Sequence, residues 1–381
     1  MNVTCKFRKN QSLFNCFIEI TDPRVGGRCT YTLFTIIVIV LCGLICGCDN
    51  WKSIVMMAKA RKRWLGQWID LSNGVPSHQT LARVFSLINP FEFEQCLQNW
   101  MTEISDVLDG DVISIDGKTL RGSGHKRGNK KASHVINAYH PRSGCSLAST
   151  ITPSKSNEIK GIPLLLKALN IDKKIITLDA MGTQKGIAKL IRMKDADYVL
   201  ALKNNHGRMY KKVDNLFNKS DELEYNAMIF QQKQSNDYDH SRLEIRNYTV
   251  LPMMYLHQYK HQWKDLSAFV RVCSERHLPN GEIEKSTRYY ITSLPYKKHR
   301  KMIQAIREHW RIENSLHYKL DVGMNEDRCQ IFSGYADRNL SIMRKIVLKL
   351  LSDDTDTDAG ISLKRMKAAL SVRYTKKVIG F

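Results

Sequence analysis

From Asp111 to Leu202, short β-rich apolar runs alternate with amphipathic helical stretches, a pattern that a sheet crossed by helices buries well. Val112-Ile113-Ser114-Ile115-Asp116 reads as a short strand stopped by Gly117. His134 to Tyr139 and Cys145 to Ile151, joined by Pro141-Arg142-Ser143-Gly144, predict a hairpin. Asn157 to Leu169 is an amphipathic helix, Lys174 to Asp179 (KIITLD) an apolar strand, Thr183 to Met193 a helix and Tyr198 to Leu202 another strand. Strand, hairpin, helix, strand, helix, strand predicts an α/β fold with at least one parallel crossover.

The flanks read differently. Leu33 to Cys48 (LFTIIVIVLCGLICGC) is almost wholly apolar, but its roughly 16 strongly apolar residues fall short of the ~20 a membrane span needs. Gly43 and Gly47 interrupt it, so a buried helix is expected, not an anchor. Trp51 to Trp68 continues helically. After the break at Asn73 to Pro76, Ser77 is placed to cap a helix over Thr80 to Ile88, and Phe91 to Leu108 follows. Helix, short turn, helix is the outline of a helix-turn-helix DNA reader and equally of any small bundle. Residues 205–285 are polar with weak alternation and predict an inserted β or irregular region. A long helix over Lys298 to Leu320, a helix over Ala336 to Leu351, an acidic link (DDTDTD) and a basic tail from Lys364 to Lys377 complete the chain. The expected division is therefore a helical N-terminal region (1–108), an α/β domain (109–351) with its insertion, and a C-terminal link and tail (352–381).

Length and composition narrow the function classes. The 381 residues suffice for two or three domains, and 43% hydrophobic content excludes wholesale disorder. A net charge of +22 favours a polyanionic partner, since each phosphate neutralised releases a counterion. The ten cysteines form no C-x-x-C pair and no zinc spacing, and with no signal peptide in view a reducing cytoplasm is the expected compartment.

Three acids stand out. Asp116 ends an apolar strand, where α/β folds place ligands, and Gly117 after it is equally the mark of an ordinary turn. Asp179 repeats the arrangement before Ala180-Met181-Gly182-Thr183-Gln184. Glu313 lies between His309 and His317 at helical spacing, with Asp321 close by, although an ion-paired solvated face gives the same pattern. Carboxylate oxygens suit Mg²⁺, and two such ions can activate an attacking oxygen and neutralise a leaving one at phosphorus.

The strings ISIDGKTLRGS, ITLDAMGTQ, YVLALKNN, RYYITSL and HWRIENSLHYKLDV, in that order, resemble the Asp-Asp-Glu transposases of bacterial insertion sequences, within them the H-repeat-associated group. Asp22-Pro23-Arg24 and Gly74-Val75-Pro76-Ser77-His78-Gln79-Thr80 resemble the accessory domain of that group. The sequence carries His206, Tyr318 and Met324 where the group commonly has Gln, Trp and Phe. The resemblance implies an RNase H-like catalytic fold with a β-rich insertion before the glutamate helix. It implies Asp116, Asp179 and Glu313 as a triad holding two Mg²⁺ ions, for which Mn²⁺ can substitute, with Asp321, Glu326 and Asp327 as rivals for the third place. It further implies DNA as partner, both element ends and target, bound by a homodimer near the nucleoid and away from membranes. Lys118, Arg121, Lys203, Arg288 and Arg307 are the expected phosphate contacts, with His309 and His317 either touching DNA or orienting Glu313. The activities expected are cleavage at element ends and strand transfer. The alternatives are an RNase H-like nuclease that does not join ends, or an inactive copy that only binds DNA.

Overall fold

The computed structural model describes residues 10–26, 29–124, 131–152, 158–222, 235–239, 242–278 and 280–380. The chain forms two compact units, one of Met1–Val107, Gly117–Lys155 and Glu313–Phe381, the other of Leu108–Asp116 and Ser156–Ile312. Strand β1 (Val112–Thr119) contributes to both, β2 (His134–His140) and β3 (Cys145–Thr152) belong to the first, and β4 (Ile175–Leu178) to the second. The second also holds β5 (Asp197–Leu202), β6 (Ser235–Asp239), β7 (Arg242–Pro252), β8 (Ala268–His277) and β9 (Ile283–Thr292). The fold is α/β and RNase H-like, with a β-rich insertion and a helical N-terminal region, as expected from the sequence patterns and the resemblance.

In the first unit the apolar run forms the helix Leu33–Ile45, capped by the Thr32 hydroxyl, with all but Phe34 of its residues buried. The helices Gln11–Glu19, Trp51–Ala60, His78–Leu87, Ala336–Ser352 and Ile361–Leu370 pack around it. A helix apolar on every side must be enclosed, and here the enclosing layer is protein. No helix among the described residues is long and apolar enough to cross a membrane. Helix Pro90–Ser105 packs against β3, where Glu94 accepts hydrogen bonds from the Ser149 amide and hydroxyl at 2.5 and 2.7 Å.

The C-terminal stretch differs from the expected loose link and tail. Ile361–Leu370 and Val372–Ile379 are helices. Lys377 bridges Asp354 and Asp356 of the acidic segment at 2.5 and 2.6 Å, while Arg365 meets Asp49 at 2.5 Å. The acidic link is therefore the counterion of the basic helices.

In the second unit the strand order is β1-β4-β5-β9-β8-β7-β6, with β1, β4 and β5 parallel and the remaining pairs antiparallel. Helices cover both faces of the parallel part, which is why its strands read as unbroken apolar runs. On one face Val112, Ile175 and Val199 pack with Met302, Ile303 and Ile306 of helix His299–Arg311. The region expected to be β or irregular opens instead with the helix Gly207–Glu222, anchored by Met209, Val213 and Phe217 at four-residue spacing. Its strands are no separate module: β9 pairs with β5 and extends the same sheet.

Candidate active site

Strands β1 and β4 run parallel with Ile115 beside Leu178, so Asp116 and Asp179 stand one step beyond the last registered pair. Neighbouring parallel strands lie about 4.8 Å apart, and residues in register project to the same face. That face is fixed by its other members. Ser114, two residues before Asp116, donates to the Glu308 carbonyl at 3.3 Å, and Thr177, two before Asp179, pairs with His309 Nδ1 at 2.9 Å. The two aspartates thus share the face that carries helix His299–Arg311. Both are half-buried. The Gly182 amide donates to Asp179 Oδ1 at 3.0 Å, which orients the carboxylate, and the Thr183 hydroxyl reaches the carbonyls of Asp179 and Ala201 at 3.0 and 2.6 Å. Strand β1 does not stop at Gly117 as its sequence suggested; it runs on to Thr119, so Asp116 sits within the strand.

Glu313 is the second residue of a π-type turn, Ile312–His317, that follows directly on helix His299–Arg311, and a second widened turn covers Lys319–Gly323. The Met324 amide donates to the Lys319 carbonyl at 3.0 Å, the i→i+5 bond of this geometry. Ile312 closes the second compact unit and Glu313, exposed, opens the last segment of the first. The even helical register expected for His309, Glu313 and His317 is therefore broken at Arg311. Among the described residues, no three His, Cys, Asp or Glu side chains are grouped to hold a metal ion. The pair of hard carboxylates at the ends of registered strands is nonetheless a donor set of the kind Mg²⁺ takes.

The two histidines do not face solvent. His309 is buried, its pKa pushed down to about 4 by burial against the opposing charge of Asp179. His317 is buried too, bonded to Asn137 at 3.2 Å, and pushed down to about 3 by burial with Lys118 adding to the effect. Neutral and enclosed, neither is free to touch a phosphate, which corrects that expectation. Thr177 was missed in the sequence; its signal was a single hydroxyl in an otherwise apolar strand.

Lys118 departs from the expected role most clearly. It is 8% exposed, contacts the Asp321 carboxylate and donates to Glu326 at 2.5 Å. Burial works against its charge, yet the two acids more than offset this and raise its pKa. Burial would likewise raise Glu326, but Lys118 and Arg344 hold it below the ordinary range. Asp321 is raised, mainly by burial. The cation is thus occupied by protein carboxylates. Two rivals for the third metal-binding place are also engaged, and Asp327 lies 3.5 Å from Arg121. Arg121 is otherwise exposed, as are Lys203, Arg288 and Arg307, with Arg288 lying 4.2 Å over the Trp310 ring.

Residues 108–349 match the family model described as "Transposase DDE domain", and residues 14–101 the model described as "DDE_Tnp_1-associated". The chain is 37% identical over 372 residues to "Putative transposase YncI" of Escherichia coli O157:H7, covering 97% of this chain and 94% of that protein. It is also 37% identical over 366 residues to "H repeat-associated putative transposase YhhI" of Escherichia coli (strain K12), covering 94% and 95%. The cryo-EM structure of a piggyBac transposase synaptic complex with hairpin DNA aligns with 100% of this chain and 78% of its own, at 9% identity and a TM-score of 0.43.

Proposed function

This chain belongs to the transposase DDE-domain family, and from that premise we propose that it cuts the phosphodiester backbone at insertion-sequence ends and joins the freed 3′-hydroxyl to target DNA. Asp116, Asp179 and Glu313 are the acids assigned to hold Mg²⁺, or Mn²⁺ in its place. When bound, the metal would supply charge neutralisation at the phosphate and activation of the attacking oxygen. The chain's own contribution is orientation: the Gly182 amide holds one oxygen of Asp179, and the Thr177–His309 bond keeps the covering helix against the strands. Burial keeps His309 uncharged at neutral pH, so it adds no positive charge beside Asp179 to compete with a cation. Arg121, Lys203, Arg288 and Arg307 serve as phosphate contacts, which position the DNA without reading its sequence. Two copies acting on two ends make a homodimer the working form, acting on DNA in the nucleoid.

The observation carrying this reading is the placement of Asp116 and Asp179 one step past a registered parallel pair, on the face whose covering helix leads directly into Glu313. The test is Mg²⁺-dependent cleavage and joining of DNA bearing the element's own ends. Asp116→Asn, Asp179→Asn and Glu313→Gln should each lose about 10³-fold in cutting, the several kcal/mol that metal-assisted charge stabilisation is worth. Variants cutting as well as wild type would remove the assignment. Cutting without joining would make the protein a nuclease instead.

A further inference from the structure

The charge of +22 is not spread evenly with its counterions. Two adjoining clefts of the second unit, of about 890 and 670 Å³, share Lys185 and Gln262 in their walls. Lys189, Lys260 and Lys264 line the first with Lys185, and Arg208, Lys211 and Lys212 line the second. All are exposed. The single acid in either lining is Asp265, already bridged by Arg192 at 3.0 Å and Lys264 at 3.3 Å. Lys185 and Lys212 donate to neutral amides, Gln262 at 2.8 Å and Gln258 at 2.9 Å, so their charges stay uncompensated. Elsewhere in the protein, cations such as Lys118 and Lys377 are met by carboxylates. The contrast marks these clefts as built for an anion.

Their position says which anion. The helices Lys185–Met193 and Gly207–Glu222 begin in the clefts, directing N-terminal amide dipoles the same way as the lysines. Each helix follows a parallel strand, β4 and β5, at the sheet edge where Asp179 lies. The floor is tied to the Asp179 loop: Asn205 donates to the Ala180 carbonyl at 2.5 Å and His206 Nε2 bonds the Thr183 carbonyl at 2.7 Å. Two consecutive clefts lined by seven cations suit a chain of evenly spaced negative charges better than one small anion.

We propose that these clefts form a track for the phosphodiester backbone of the DNA flanking the phosphate at Asp116 and Asp179. This rests on the transposase reading for the choice of DNA, though not for the anion-binding character of the track. The track is read by the salt dependence of affinity, measured on the full chain by anisotropy with a short labelled duplex of arbitrary sequence. Lys185→Gln/Lys212→Gln/Lys260→Gln should reduce the slope of log K against log salt by about 2.7, at ~0.9 for each phosphate no longer neutralised. A matched triple at exposed lysines of the other unit, Lys52→Gln/Lys59→Gln/Lys62→Gln, should change it by less than about 1, and arginine in place of glutamine at the three cleft positions should restore it. Equal changes from both triples, an unchanged slope in a folded cleft variant, or no salt-dependent affinity in wild type would each overturn the track. If Asp116→Asn leaves cutting intact while the cleft triple still shows the shallower slope, the catalytic reading fails and the track stands.

Discussion

Replacing Lys118 by methionine would strip the cation from two carboxylates while keeping most of the side-chain volume. Glu326 is 3% exposed, and removing the partner of a buried ion costs about 3–5 kcal/mol. The Asp321 side chain is 29% exposed, so water screens it and its share is about 1 kcal/mol or less. Lys118→Met should therefore destabilise the first unit by about 4 kcal/mol. Lys118→Met/Glu326→Gln, which also removes the stranded charge, should recover about 2 kcal/mol of this. Urea unfolding followed by tryptophan fluorescence suits the measurement, because Trp51, Trp64, Trp68 and Trp100 all lie in that unit. The pH dependence carries a sign. Glu326 is held below its ordinary 4.5, so its contribution is complete above pH 4.5 and lost as pH falls through the lower folded value. Lys118 is raised above 10.5, so its contribution is complete below pH 10.5 and lost on rising through the folded value. Asp321 is raised and runs the opposite way in acid, gaining stability as it protonates. A single variant costing under about 1 kcal/mol, or a double variant equal to the sum of its parts, would refute the argument.

Other outcomes follow from the same structure. His309 and His317, held near 4 and 3 against an ordinary 6.5, make folding stability fall as pH drops from 6.5 towards those values, each by about 3 kcal/mol or more at the acid end. Acid unfolding of His317→Asn, compared with wild type, should show a shallower decline. Thr177→Val, which deletes the hydroxyl bonded to His309, should cost about 1 kcal/mol in thermal unfolding while leaving DNA affinity unchanged. Gly122→Ala would drive a methyl into the Cys329 carbonyl oxygen and should cost about 1–3 kcal/mol in urea unfolding; a smaller loss would mean that the two backbone segments part freely.

The parallel core and its two aspartates were legible because each strand is a compact apolar run ended by a single acid, a signal contained within a few neighbouring residues. The hairpin was legible for the same reason, its turn being marked by Pro141 and Gly144. What escaped depended on partners far along the chain. Lys118 looks like a phosphate contact until Asp321 and Glu326 come to it from about 200 residues away. The tail looks like a loose basic arm until Asp354 and Asp356 neutralise Lys377. Helix Gly207–Glu222 was hidden by its polar composition, though Met209, Val213 and Phe217 carried its stripe. The widened turns at Glu313 left no compositional trace, because ordinary helix-forming residues fill them.

Those widened turns make residue count itself a constraint. Each accommodates an additional position without breaking the helix, so deleting one residue between Ile312 and His317 would tighten the coil and turn everything downstream by about 100°. Leu316 and Leu320 would leave the apolar interior, and Asp321 would swing away from Lys118. Substitutions along this stretch can be absorbed one at a time; a change in its length cannot. Functional members of the lineage should therefore vary here in residue type while keeping the same number of positions between Arg311 and Glu326.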